Sequence, residues 1–261
     1  MTTTYISPNR WILAGLLGLG LCQGATRAVA EYTEELHETY PLAAEGRLSL
    51  DEVNGTVRIT AWDRNEVKLD AVKHGKDKEH FEAVKIEINA KPDHLKIHTK
   101  YPDSKSWSWR RHSGSTSVDY TLSVPRGTRL DEISAVNGTV EIDGVRGTVH
   151  ASTVNGALKA RGLAADTSLS SVNGRVKAAF DRFETVKSVS LSAVNGSLEL
   201  NLPEDTNADL KASTVNGGIS GDVPVKKNWP IGREINTQLG KGGARIKLST
   251  VNGGMTIHLA R

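Results

Sequence analysis

The tripeptide Val-Asn-Gly occurs seven times, with its asparagines at Asn54, Asn137, Asn155, Asn173, Asn195, Asn216 and Asn252. Successive spacings are 83, 18, 18, 22, 21 and 36 residues, a compact array with one outlying copy at each end. Recurrence at so short a period restricts the chain to folds in which one small unit is stacked or paired repeatedly around a shared core.

The repeat extends beyond three letters. Two residues before each Val stands Ser134, Ser152, Ser170, Ser192, Ser213 or Ser249, with Asp51 in the first copy. The intervening residue is small (Ala135, Thr153, Ser171, Ala193, Thr214, Thr250) except for Glu52. Two residues after the Gly the chain is always apolar: Val57, Val140, Leu158, Val176, Leu198, Ile219 and Met255. Arg58, Glu141, Lys159, Lys177, Glu199, Ser220 and Thr256 follow, so each strand after the turn alternates a buried with a wet side chain. Every position in this register has a packing explanation. Asn-Gly tolerates positive φ at low cost, which predicts a tight corner in the left-handed region.

Two all-β architectures use such a corner. In an antiparallel hairpin meander, Ala135 faces Val140 across one hairpin. In a β-solenoid, Val140 instead neighbours Leu158 and Val176 on successive coils. The solenoid is favoured because the 18-residue period divides into similar halves, VNGTVEIDG and VRGTVHAST. Stacking also lets the asparagines form a hydrogen-bonded ladder, which isolated hairpins give no reason for. These units, with Trp62-Asp63-Arg64-Asn65-Glu66-Val67 and Val124-Pro125-Arg126-Gly127, resemble the bacterial β-strand-repeat family of putative adhesins over nearly all of residues 40–261. The resemblance implies an exported, right-handed, single-stranded β-solenoid with no established catalytic residues, of a kind discussed as surface or envelope-stress proteins.

The first thirty residues read as a signal peptide. Arg10 precedes an apolar run from Trp11 to Leu21, too short to cross a bilayer, and Ala28-Val29-Ala30 supplies a cleavage site before Glu31. Cleavage leaves no transmembrane span, and the destination is the periplasm or the cell surface. It also removes Arg10, Arg27 and Cys22. The remainder carries 31 basic against 30 acidic residues and no thiol. That balance argues against nucleic acid, and the missing thiol excludes disulfides, cysteine metal sites and a cysteine nucleophile. Residues 31–125 read as an N-terminal β section with the first repeat, covering one end of a 126–261 repeat solenoid. Within it, a short helix is expected over 77–84 and a hairpin turning at Lys91-Pro92-Asp93.

Trp107, Trp109, Arg110 and Arg111 interrupt the strand pattern in a Ser/Gly-rich segment. Aromatics beside arginines suit sugar rings or anionic lipid headgroups, so these four are the candidate binding residues. The segment 224–245, with Gly240-Lys241-Gly242-Gly243, lacks the spacing of a phosphate loop and reads as an insertion. His94 and His98 lie about 13 Å apart along a strand, too far to share a metal ion. The repeated serines have no histidine at a matching position, so no nucleophile is expected.

No cofactor and no catalytic residue are therefore expected. The chain reads as a non-enzymatic exported envelope protein that presents a rigid β-repeat scaffold to a polysaccharide, lipid headgroup or protein. A periplasmic envelope-stress sensor or scaffold is the first alternative. A polysaccharide-active β-helix enzyme, which would need carboxylates clustered on one face, is the second.

Overall fold

The structure, a computed structural model, describes residues 31–102, 116–223 and 233–260. The signal peptide expected over residues 1–30 lies outside them. The described chain is all-β apart from one short helix, Lys78–Ala83, which Asp77 caps by accepting from the His80 N–H.

Each Val-Asn-Gly divides two strands that lie in different sheets. The strands before the corner, such as Val149–Asn155 and Thr167–Asn173, pair in parallel in one ten-stranded sheet. Those after it, such as Leu158–Leu163 and Val176–Phe180, pair in parallel in the other. Leu158 is therefore paired with Val140 on one side and Val176 on the other, as stacked coils require. The strand pairs flanking the corner do not form hairpins, which removes the meander.

The apolar members of the alternation fill the space between the sheets. Val140, Leu158 and Val176 from one sheet and Ile133, Leu169 and Leu191 from the other are essentially inaccessible to solvent. Aliphatic rows of this kind suffice for a core only two strands thick, which is why so few aromatics are needed.

The order of coils in space differs from their order in sequence. The coil of 47–62 lies between the coil of 129–143 and an outer one formed by His94–Lys100 and Ser117–Pro125. At the other end, Ala244–Asn252 and Met255–Ala260 insert between the fifth copy, 188–203, and the sixth, 208–221. The copies that look like outliers in sequence are therefore fully stacked. The 83-residue gap holds an additional coil, and the 36-residue gap lets the chain add a strand and return.

Antiparallel strands cover the edges of both sheets at one end and of one sheet at the other. Tyr32–Pro41 and Glu66–Gly75 cover Ser117–Pro125, and Lys85–Lys91 covers His94–Lys100. Arg233–Leu239 covers Ala208–Asn216. Such strands dispose of edges that would otherwise be templates for pairing with other chains.

The Asn-Gly corner works by a different principle from the one its residues suggest. Among the described residues no non-glycine has positive φ, and of the seven repeat glycines only Gly55 does. What excludes a side chain is the neighbouring coil. A Cβ on Gly156 would lie 1.8 Å from the Gly138 carbonyl oxygen, and one on Gly174 1.8 Å from that of Gly156. The glycines permit close stacking. Left-handed backbone is needed elsewhere, at Gly144 and Gly162 on the opposite side of the coils.

Candidate functional site

Alternation along the strand before each corner places three rows on its outer face. The row nearest the corner is the valine of the repeat itself. Val136, Val154, Val172, Val194, Val215 and Val251 are between 38% and 52% exposed, so they contribute little to the core. This corrects the expectation that every position in the register is explained by packing. The clue was available in sequence: Val lies two residues after a polar Ser, hence on the same wet face.

The second row is serine. Ser134, Ser152, Ser170, Ser192, Ser249 and Ser213 are in register on adjacent strands, continued at one end by Asp51. Ser134 donates to the Asp51 carboxylate at 2.6 Å. The third row runs Glu132, His150, Ser168, Ser190, Lys247, Lys211. Its small central members leave a shallow trough over Ser152, Ser168 and Ser170, rimmed by Asp131, Glu132 and His150.

Beside the valines runs a ladder of amides. Each asparagine Nδ2 donates to the Oδ1 of the next, in the order Asn216, Asn252, Asn195, Asn173, Asn155, Asn137, Asn54, at 2.8–2.9 Å. The backbone runs the opposite way: Gly138 N–H donates to Asn155 O and Gly156 N–H to Asn173 O, both at 3.1 Å. Inside the corner, Thr153, Ser171, Thr214 and Thr250 hydroxyls donate to glycine carbonyls of a neighbouring coil. That explains why the position accepts Ser or Thr as readily as Ala.

The outer face of the other sheet is built differently. Glu141 pairs with Arg58 at 3.5 Å and with Lys159 at 3.1 Å, and Lys177 pairs with Glu199 at 2.6 Å. The lysines hold both carboxyls below the usual glutamate value. These charges satisfy one another from coil to coil, whereas Glu132 and Lys247 stand exposed without an ion-pair partner among the described residues.

A buried polar cluster lies under the Asn54 end. Glu52 points between the sheets where other repeats have Ala, Ser or Thr. It accepts from the Tyr101 hydroxyl and the Asn54 N–H, each at 2.8 Å, and from the Thr99 hydroxyl, which also contacts Tyr120. Burial raises its carboxyl pKa, against the hydrogen bonds that lower it. The cluster fills the interior at this end of the stack.

The histidines do not converge. His94 contacts Ser49 at 3.1 Å, and His98 lies 3.7 Å from Asp51. No group of three or more potential metal ligands occurs among the described residues. Trp107, Trp109, Arg110 and Arg111 lie outside the described residues, as does the 224–232 part of the expected insertion.

Two stacked, mostly parallel sheets with an in-register face of valine, serine and asparagine define a β-strand-repeat protein of solenoid-like form. The resemblance seen in the sequence is to a recognised family: residues 133–258 match the model of the Toastrack DUF4097 family. No curated protein matches the chain. Among solved structures, a putative cell adhesion protein from Clostridium sporogenes is 15% identical with a TM-score of 0.50, covering 87% of this chain and all of that one. A putative adhesin from Bacteroides fragilis is 14% identical with a TM-score of 0.41, covering 87% of this chain and 97% of that one. The first of these supports the fold.

Proposed function

We propose that the chain is a non-enzymatic exported envelope protein, a right-handed single-stranded β-solenoid that holds one flat face rigid for binding or adhesion. Residues 1–30 act as the signal peptide, 31–125 as the N-terminal β section and 126–261 as the repeat solenoid, working in the periplasm or at the cell surface. The observation that carries this reading is the contrast between the two outer faces. One neutralises its own charges; the other leaves in-register valines and serine hydroxyls open to a partner. Exposed apolar side chains arranged contiguously mark interaction surfaces more often than scattered ones do. Rigidity also favours binding, because a face already ordered loses little entropy when a partner docks. The description of the Clostridium sporogenes protein as a putative cell adhesion protein fits this role.

The test is binding of the chain from Glu31 onward to cell-wall polysaccharide and to lipid vesicles, with Val154→Asp/Val172→Asp compared with Lys159→Ala/Lys177→Ala. The valine variant is expected to lose binding by tenfold or more, about 1.4 kcal/mol, while the lysine variant keeps it. Equal binding by the valine variant and wild type would overturn the reading. Trp107→Ala/Trp109→Ala measures the share of the 103–117 loop separately.

A further inference from the structure

The valine-serine face is self-complementary. Its third row, read along the stack, is Glu132, His150, Ser168, Ser190, Lys247. The coil of Ser168 and Ser170 is the midpoint: Glu132 lies two coils to one side and Lys247 two coils to the other. Parallel strands lie about 4.8 Å apart, so the two charges are separated by about 19 Å along the face. Everything between them is small or neutral apart from His150.

We infer that this face binds the same face of a second copy, with the two stacks antiparallel about a two-fold axis running along the strands at Ser168–Ser170. The inference rests on the proposed function, which makes this face the binding surface, and it names the occupant. A two-fold along the strand direction leaves each row opposite its own kind, so valine meets valine and serine meets serine. It reverses the order of the coils, so Glu132 of each copy meets Lys247 of the other. One coil further out, Arg47 meets Asp209 by the same operation. Arg129 meets Arg245, a like pair at the edge of the face farthest from the valines. The alternative two-fold, along the stack, keeps each coil opposite itself, so Glu132 and Lys247, four coils apart, never meet, and charge selects the antiparallel arrangement.

The size of the face is adequate. Seven repeat strands of about seven residues make a surface roughly 34 Å by 23 Å, on the order of 800 Å², matching the figure of about 800 Å² per partner in a standard stable interface. Small side chains in identical rows let two sheets approach and interdigitate as in a steric zipper. A single self-complementary patch makes the association closed, giving a dimer instead of a filament.

The experiment is sedimentation of the chain from Glu31 onward over a broad concentration range. Wild type is expected to dimerise reversibly, and Glu132→Lys and Lys247→Glu each to weaken dimerisation by tenfold or more. An equimolar mixture of these two variants is expected to associate again, because each then meets its opposite charge at both contacts. The double variant Glu132→Lys/Lys247→Glu is expected to dimerise like wild type. Recovery in the mixture shows that neither variant has lost its fold. A monomeric wild type at all concentrations, or single variants that dimerise as tightly as wild type, would overturn the inference. If wild type is monomeric while Val154→Asp/Val172→Asp still abolishes binding to polysaccharide or vesicles, the face stands as a binding site and the second copy is excluded as its occupant.

Discussion

The two rims of the stack, where the chain passes from one sheet to the other, follow different rules. On the Asn-Gly rim the repeat coils are nearly alike, and their residues touch their counterparts on neighbouring coils through side chain and backbone. On the opposite rim the turns vary in length and hydrogen bonding from coil to coil, although Pro125–Thr128 and Pro203–Thr206 close alike. Arg146 N–H donates to Arg126 O at 2.7 Å, Asp166 accepts from the Lys187 and Ser188 N–H groups, and Thr206 turns back onto Pro203 O. The strand ending at Phe180 and the next beginning at Ser188 leave a longer connection there than the one between Leu163 and Thr167. Phe183 and Val186 tuck it onto the core. The 22-residue spacing is absorbed on that side. Repetition in the sequence marks where coils meet closely; variation marks where length is free.

The largest test of this difference is Gly174→Ala. The added Cβ would overlap the Gly156 carbonyl, so the coils must part and lose hydrogen bonds on both sides. A loss of at least about 4 kcal/mol is expected in chemical denaturation. Asn173→Ala comes next, since it removes one bond to Asn155 and one from Asn195. Two such bonds are worth about 1–2 kcal/mol, read in thermal melts as about 2–4 °C per kcal/mol for a chain of this size.

Glu52 tests where the uniform rim gives out. Its folded pKa lies above the ordinary 4.5 because burial disfavours the charge. Above pH 4.5 the native state therefore retains a proton that the unfolded chain has lost. Stability is fully present below that pH and falls as pH rises through the folded pKa. Melts from about pH 4 to about pH 8 should show this slope in wild type and a flatter profile in Glu52→Gln; identical profiles would remove Glu52 as the source. The smallest effect is expected on the variable rim. Glu184→Ala, at an exposed position in the long connection, should change stability by less than about 0.5 kcal/mol.

The uniform rim was largely legible in the sequence because each residue's role recurs seven times. Alternation at Val140, Leu158 and Val176 identified the buried rows, and the short helix and the Lys91-Pro92-Asp93 turn followed from local signals. The order of coils was not legible, since nothing in the Val-Asn-Gly of residues 251–253 distinguishes insertion from addition at the end. The reason for glycine was also hidden. Asn-Gly has the residues of a left-handed turn, and only the neighbouring coil shows that lack of a Cβ matters more than φ. The exposed valine row was obscured because each Val is adjacent to its corner, whereas its face is set by the Ser two residues before it.

The exchanged order of the last two coils has a consequence for assembly. The stack cannot be wound on like thread from one end to the other, because Ala208–Asn216 reaches the coil of 188–203 only through Ala244–Asn252. Residues 208–221 can meet their final neighbours only once the last repeat has emerged and entered the slot, as an arch needs its keystone. A chain interrupted before residue 244 would leave the parallel edge of Ser188–Asn195 uncovered. The same inversion at the other end holds the coil of 47–62 between segments made after it. The most regular part of the molecule is thus bracketed by two joints that close only when the polypeptide is long enough to pass beyond them and return.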